Sequence, residues 1–236
     1  MADQTYERLL TEEDLGLEII QRRPIFRDRP VYLRVKRVID LLIVLAVLPL
    51  ALPLMAACAL AIWLDSGRPI FFVQERIGRG GQRFHMLKFR TMRADVDDRE
   101  HRQYLRKFVT GELGQSRNGV YKPASQAQIT RVGHFLRKTS LDELPQIINV
   151  MRGEMSVVGP RPNLPWEVEA YQLWHHERLE IPPGITGLAQ VNGRSCLSFE
   201  SIVQYDIEYL ENMSVWLDIK ILWLTAKVLL KGAGAL

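Results

Sequence analysis

The chain has 236 residues, 47% hydrophobic and 25% charged, with a formal net charge of +4 and a sequence pI near 9.1. Such a length supports one packed domain with appendages rather than two independent domains, and the basic balance leaves nucleic acid, anionic lipid or a phosphorylated substrate as partners. Cys58 lies in an apolar run and Cys196 far away in a polar stretch, so there is no disulfide framework; apart from His175 and His176 the histidines are scattered, and no zinc spacing arises.

Residues 1–30 are charged and weakly periodic, and read as an appendage with one short helix. Their acids, among them Glu7, Glu12, Glu13 and Asp14, are unlike the basic start of a signal peptide. Residues 41–64 then carry no charge. A straight helix of that length would rise about 36 Å, enough to span a hydrocarbon core. Two observations argue against a simple crossing. Pro49 and Pro53 lack the amide hydrogen an unbroken helix needs, and arginines and lysines flank the run on both sides, from Arg22 to Arg37 and from Arg68 to Arg93. A re-entrant hairpin turning near the prolines satisfies both; a proline-kinked spanning helix is the other reading. The membrane segment shifts the partner towards lipid or a phosphorylated substrate. No aromatic-studded nucleic-acid motif is present.

Residues 70–77 and 82–92 are strand-like and joined by Gly-Arg-Gly-Gly, which predicts a β-hairpin. Alternation places Phe84, Met86, Lys88 and Arg90 on one face. Residues 95–108 read as a charged helix and 110–128 as a loop. After residues 137–145, Arg-Lys-Thr-Ser-Leu-Asp-Glu-Leu-Pro, an apolar-periodic helix runs through Met151. Residues 159–162, Gly-Pro-Arg-Pro, stop and stiffen the chain. A helix is expected around 166–179, a turn-rich stretch at 182–187, and a last helix from Phe199 with a break near Asn212. Residues 215–231 are amphipathic: Trp216, Ile219 and Trp223 share a face beside Lys220 and Lys227, which suits either an interfacial helix or an ordinary core-facing one.

The adjacent carboxylates Asp142 and Glu143 are the sharpest chemical candidates. One reading is purely structural, since Ser140 and Glu143 match a helix capping box. In the other they sit at a helix N-terminus, where the dipole and nearby cations keep a carboxylate ionised and nucleophilic. Arg161, between two prolines, suits bidentate phosphate binding, with a structural ion pair as its alternative. Arg137, Lys88 and Arg90 taken singly could each be solvated surface charge.

In order, Leu-Lys-Phe-Arg-Thr-Met at 87–92, Leu-Arg-Lys-Thr-Ser-Leu-Asp-Glu-Leu-Pro-Gln at 136–146, Val-Gly-Pro-Arg-Pro at 158–162 and Pro-Gly-Ile-Thr-Gly-Leu-Ala-Gln-Val-Asn-Gly-Arg at 183–194 strongly resemble the bacterial sugar transferase family, the monotopic polyprenol-phosphate phosphoglycosyl transferases. The resemblance covers residues 31–231. It implies transfer of a sugar 1-phosphate from a UDP-sugar to undecaprenyl phosphate with release of UMP, as the first membrane step of exopolysaccharide or capsule synthesis. It also implies a re-entrant hairpin, Mg²⁺ and a covalent phosphosugar intermediate on Asp142. Glu143 would share the metal or handle a proton; Lys88, Arg90, Arg137 and Arg161 would hold phosphates; Asn192 and Arg194 would close over the nucleotide. Residues 77–81, Ile-Gly-Arg-Gly-Gly, together with the long N-terminal appendage, resemble members that transfer a hexose, glucose or galactose. Leu52-Pro53 replaces the family's usual Ser-Pro at the hairpin break.

The expected fold is α+β: a 1–30 appendage, a 31–66 membrane hairpin, and a mainly helical 67–236 catalytic domain with a small β-hairpin and interfacial helices. That domain is expected at the cytoplasmic face of a bacterial inner membrane, in contact with lipid, and a homo-oligomer is compatible with the chain. A catalytically inert nucleotide-sugar sensor of the same fold is the other class of function; turnover separates the two.

Overall fold

The computed structural model describes residues 30–93, 106–111, 129–193 and 197–230. The appendage, Arg194 and nearly all of the 95–108 helix and the 110–128 loop therefore lie outside the described residues. The described residues are mostly helical with two small sheets among them.

The first element corrects an expectation. α1 (Pro30–Ser66) is one continuous helix with Pro49 and Pro53 inside it, rather than two arms joined by a turn. Its packing explains why. Val44, Leu48, Ala51, Met55, Cys58 and Ile62 recur at alternating spacings of four and three and lie in two core clusters, so one stripe continues past both prolines. Both prolines are exposed, on the face away from the domain. The ring clash opens that outer side, so any bend there curves the helix onto the domain, and packing outweighs the lost hydrogen bonds. The opposite face leaves Leu42, Leu45, Leu50, Leu52, Leu60 and Leu64 exposed.

Both ends of α1 are tied to the same domain. Near its start, Lys36 donates to Asp218 at 2.8 Å, Arg37 donates to the Val150 and Met151 carbonyls, and Asp40 accepts from Ser156 Oγ at 2.7 Å. At its far end Asp65 accepts from the Val132 amide at 3.2 Å, and Arg90 donates to the Ser66 carbonyl at 2.6 Å.

β1 (Phe71–Ile77) pairs antiparallel with β2 (Arg83–Phe89) around a 3₁₀ turn at Arg79–Gly81, as the hairpin expectation required. The buried face of β2, Phe84 and Met86, packs on α1 and on α3 (Gln146–Arg152). Asn149 of α3 fastens that contact. Its side chain accepts from the Leu87 amide at 3.0 Å and donates to the His85 carbonyl at 2.8 Å, so a carboxamide takes the place of a neighbouring strand on the edge of β2. α2 (Arg131–Thr139) is capped by Thr130, whose hydroxyl accepts from Gly133 N.

β3 (Ser156–Val158) and β4 (Gly184–Thr186) form a parallel pair, β4 lying in the stretch expected to be turns. The approach is close: a Cβ on Gly184 would collide with the Gly159 backbone, so glycine is required there. The helix expected over 166–179 is two pieces, α4 (Pro165–Val168) and a 3₁₀ segment at Leu173–Leu179. Its interruption is held by side chains, since His175 Nδ1 accepts from the Gln172 amide and Trp174 donates to the Gln172 side chain. After α5 (Leu188–Asn192), α6 (Phe199–Glu211) and α7 (Val215–Leu230) meet at Asn212, where the break was expected. α7 buries Ile221 and exposes Trp216, Ile219 and Trp223; the Lys227 amine lies 3.3 Å from the Trp223 ring centre.

Candidate active site

The backbone around the carboxylates differs from both sequence readings. Ser140 ends α2 in the left-handed conformation, φ 57°, and its side chain caps nothing. There is no capping box. Leu141–Glu143 instead form a 3₁₀ turn between α2 and α3, with Pro145 leading into α3. The carboxylates thus stand just ahead of a helix rather than in its first turn, leaving Glu143 available to other partners.

Glu143 Oε1 accepts from Lys88 Nζ at 2.9 Å and lies 3.6 Å from an Arg161 terminal nitrogen. The Lys88 and Glu143 side chains are 16% and 23% exposed, whereas Arg161 is 52% exposed. Arg137, in the last turn of α2, donates Nε to Thr91 Oγ1 at 2.9 Å and opposes Asp142 electrostatically. β2, the 3₁₀ turn, the end of α2 and the Gly-Pro-Arg-Pro segment therefore bring Lys88, Asp142, Glu143, Arg137 and Arg161 into one cluster.

Burial sets its electrostatics. It pushes the Asp142 carboxyl up from its ordinary value; Lys88 and Arg137 pull it back while Glu143 pushes it further. Lys88 and Arg137 act in the expected direction, towards the ionised form, but desolvation is the larger effect. Burial likewise lowers the Lys88 amine, with Glu143 opposing and Arg161 adding to the shift. Burial lowers Arg137 too, against Asp142.

Arg90, expected to hold phosphate, and Asn192, expected to close over the nucleotide, have partners within the fold. Arg90 is buried and gives one nitrogen to the Ser66 carbonyl, the Ser66 hydroxyl and the Gly67 carbonyl, closing the end of α1. It leaves the face of Lys88 because it follows the last residue of β2 and turns to these carbonyls. Asn192 donates to the Leu188 carbonyl of its own helix at 2.9 Å, and α5 packs against α6 and α7.

Sequence reasoning missed the residues that aim Arg161. Arg76 of β1 donates to the Pro162 carbonyl at 2.9 Å, and burial with the neighbouring Arg161 lowers it to about 10. Arg178, fully inside and ion-paired to Asp206 at 2.5 Å, donates to the Arg161 carbonyl at 3.2 Å. Ile77 and Asn163 add a backbone bond at 2.9 Å. Charge inside an otherwise strand-like run was the available signal for Arg76; Arg178 and Asp206 had none, since their pairing spans distant segments.

Among the described residues no group of three or more His, Cys, Asp or Glu could hold a metal. The two carboxylates Asp142 and Glu143 nevertheless suit Mg²⁺, which commonly takes one or two protein carboxylates and completes its shell with water and substrate phosphates.

A family model described as bacterial sugar transferase matches residues 31–232. A galactosyl transferase, CpsE, of Streptococcus agalactiae is 43% identical over 72% of this chain and 36% of its own length. A UDP-glucose:undecaprenyl-phosphate glucose-1-phosphate transferase of Xanthomonas campestris is 42% identical over 74% of this chain and 34% of its own. An uncharacterized sugar transferase, EpsL, of Bacillus subtilis is 39% identical over 72% of this chain and 75% of its own. The chain spans about two fifths or less of the length of the first two relatives.

Proposed function

The chain belongs to the bacterial sugar transferase family, and on that footing we propose that it transfers a sugar 1-phosphate from a UDP-sugar to undecaprenyl phosphate, releasing UMP. The observation that carries the reading is the pair of adjacent carboxylates enclosed by Lys88, Arg137 and Arg161. Diphosphate chemistry needs this combination: a nucleophile, and fixed positive charge where phosphoryl oxygens gather. Names of relatives specifying UDP-glucose and galactose transfer support a hexose.

The reaction runs in two halves. A carboxylate oxygen of Asp142 attacks the sugar-bearing phosphorus, the bond from that phosphorus to the bridging oxygen breaks, and UMP departs with the electron pair. An oxygen of undecaprenyl phosphate then attacks the same phosphorus, freeing the carboxylate and forming the lipid diphosphate sugar. Arg161, half exposed, grips phosphate oxygens bidentately. Lys88, held by Glu143, supplies charge from within, and Arg137 adds its own charge to Asp142. Asp142 and Glu143 would hold Mg²⁺, which when bound offsets phosphate charge and assists departure of UMP.

The reading places the domain at the cytoplasmic face of the inner membrane as the first membrane step of exopolysaccharide or capsule synthesis. α1 is long and apolar enough to cross a membrane, yet both its ends are bonded to one domain. That supports a helix lying within one leaflet, exposed leucines in lipid and both flanks on one side. The tryptophan face of α7 supports a second interfacial contact.

The test is incubation with UDP-glucose or UDP-galactose and Mg²⁺ in the absence of lipid acceptor. Stoichiometric UMP and a sugar phosphate on the peptide containing Asp142 are expected, and Asp142→Asn abolishes both. UMP that appears only when undecaprenyl phosphate is added would refute the two-step route.

A further inference from the structure

The far end of α1 opens into a cavity of about 510 Å³ whose walls include Asp65, Arg68, Arg90, Arg93, Thr130 and Arg131. Four arginines and one carboxylate thus line it, and Asp65 is already turned to the Val132 amide. Arg90 is 7% exposed, and its Nε–H is buried without an acceptor among the described residues. Arg68, Arg93 and Arg131 are exposed, and none has a hydrogen-bond or ion-pair partner among the described residues. Among the described residues this wall is short of acceptors, and arginines with donors to spare are matched by phosphate oxygens.

The surroundings indicate where the phosphate comes from. Trp63 and Leu64, 51% and 71% exposed, lie one turn before Arg68, and Phe71 and Phe72 follow it closely. On α2, exposed Phe135 sits one turn beyond Arg131. An aromatic and aliphatic rim around a basic pocket, at the end of an apolar helix, has the layering of a membrane interface. The cavity is separate from the carboxylate cluster, because Arg131 and Arg137 lie at opposite ends of α2, about 9 Å apart by helical rise.

We propose that this cavity binds the phosphate headgroup of an anionic phospholipid, with the acyl chains running along the Trp63 and Leu64 side of α1. The proposal rests on the membrane placement given under Proposed function. Arg68, Arg93 and Arg131 grip the headgroup, fixing how deep and at what tilt the domain sits on the bilayer.

Full-length protein in neutral detergent, titrated with phosphatidylglycerol or phosphatidylcholine and examined by native mass spectrometry, provides the test. The wild type should retain phosphatidylglycerol preferentially. Combined Arg68→Gln, Arg93→Gln and Arg131→Gln substitution should weaken that retention at least tenfold, with the thermal melt confirming a folded chain. Arg83→Gln, Lys107→Gln and Arg152→Gln together, removing equal charge elsewhere, should leave it intact. Equal retention of both lipids, no loss in the first variant, or equal loss in the second overturns the proposal; full displacement by millimolar inorganic phosphate overturns its assignment to lipid. Lipid counts do not depend on turnover, so UMP release by the same wild-type sample reports separately whether the transferase reading stands.

Discussion

Asn149→Leu removes a carboxamide of similar size from a position with no solvent exposure. Three side-chain hydrogen bonds disappear: to the Leu87 amide, the His85 carbonyl and the Glu154 carboxylate. Glu154 can turn towards water, so its loss is small. The two backbone groups on the edge of β2 cannot, and stranding each costs roughly 1–3 kcal/mol. Together they predict a loss of about 3–4 kcal/mol, slightly offset by added apolar contact. For a chain of this size that lowers Tm by roughly 10 °C. Lys88 follows Leu87 directly, so UMP release from the remaining folded protein should fall as well. Asn149→Asp should be no better, since it keeps only the acceptor and sets a second carboxylate against Glu154. Melting in detergent followed by intrinsic fluorescence, with release measured below the transition, reads both effects. An Asn149→Leu protein that melts within about 3 °C of wild type would show that the carboxamide is not what holds β2 to α3.

Arg161→Lys keeps charge but loses the planar fork; because the side chain is half exposed, kcat/KM should fall only about tenfold, about 1.4 kcal/mol, and unchanged kinetics would show that point charge suffices. Asp142 must be ionised to attack and burial raises its pKa above 3.8, so initial rates should fall with decreasing pH while ordinary carboxylates are still charged; a rate flat down to pH 4 would contradict that. Single cysteines at Pro30 and Arg68 should both resist an impermeant thiol reagent in intact cells, and labelling of one alone would establish a crossing. Burial and Glu177 raise Glu180 to about 7 from 4.5, so the folded state holds more protons than the unfolded between those values and loses stability as pH rises through them. Glu180→Gln should therefore raise Tm at pH 8, with the gain shrinking towards pH 4.5; a gain independent of pH would point to another cause.

Legibility in the sequence followed the range of the interactions. The β-hairpin, α3, and the division of α6 from α7 near Asn212 were visible because alternation, helical periodicity and turn residues are local signals. The clustering of Lys88, Arg137, Asp142, Glu143 and Arg161 was anticipated by motif resemblance, not by spacing. β3 and β4 escaped because three-residue strands are too short to display a period, and the glycines that admit their close approach read as turns. The interrupted 166–179 region looked helical, yet His175 accepting from Gln172 favours two pieces. Arg90 was misread because alternation was carried one residue past the end of its strand, and Arg178 was invisible because Asp206 lies in a separate helix. The prolines of α1 spoke truly about backbone bonding. What they could not convey was a stripe on the opposite face with a whole domain to pack against.

That stripe gives α1 obligations to two media, and they arise at different times. The helix is synthesised before β2, α2 and α3, the elements that cover Val44, Ala51, Cys58 and Ile62. Until they exist, the inner face lacks the elements it packs against in the finished fold. On the membrane placement proposed above, bilayer insertion would come first, and the rest of the chain would complete its core against a helix already lodged in lipid, with the bilayer as a folding template. A fragment beginning after Ser66 would lack one wall of both clusters, so deleting the greasy segment to gain solubility should expose fresh apolar surface and yield aggregate instead.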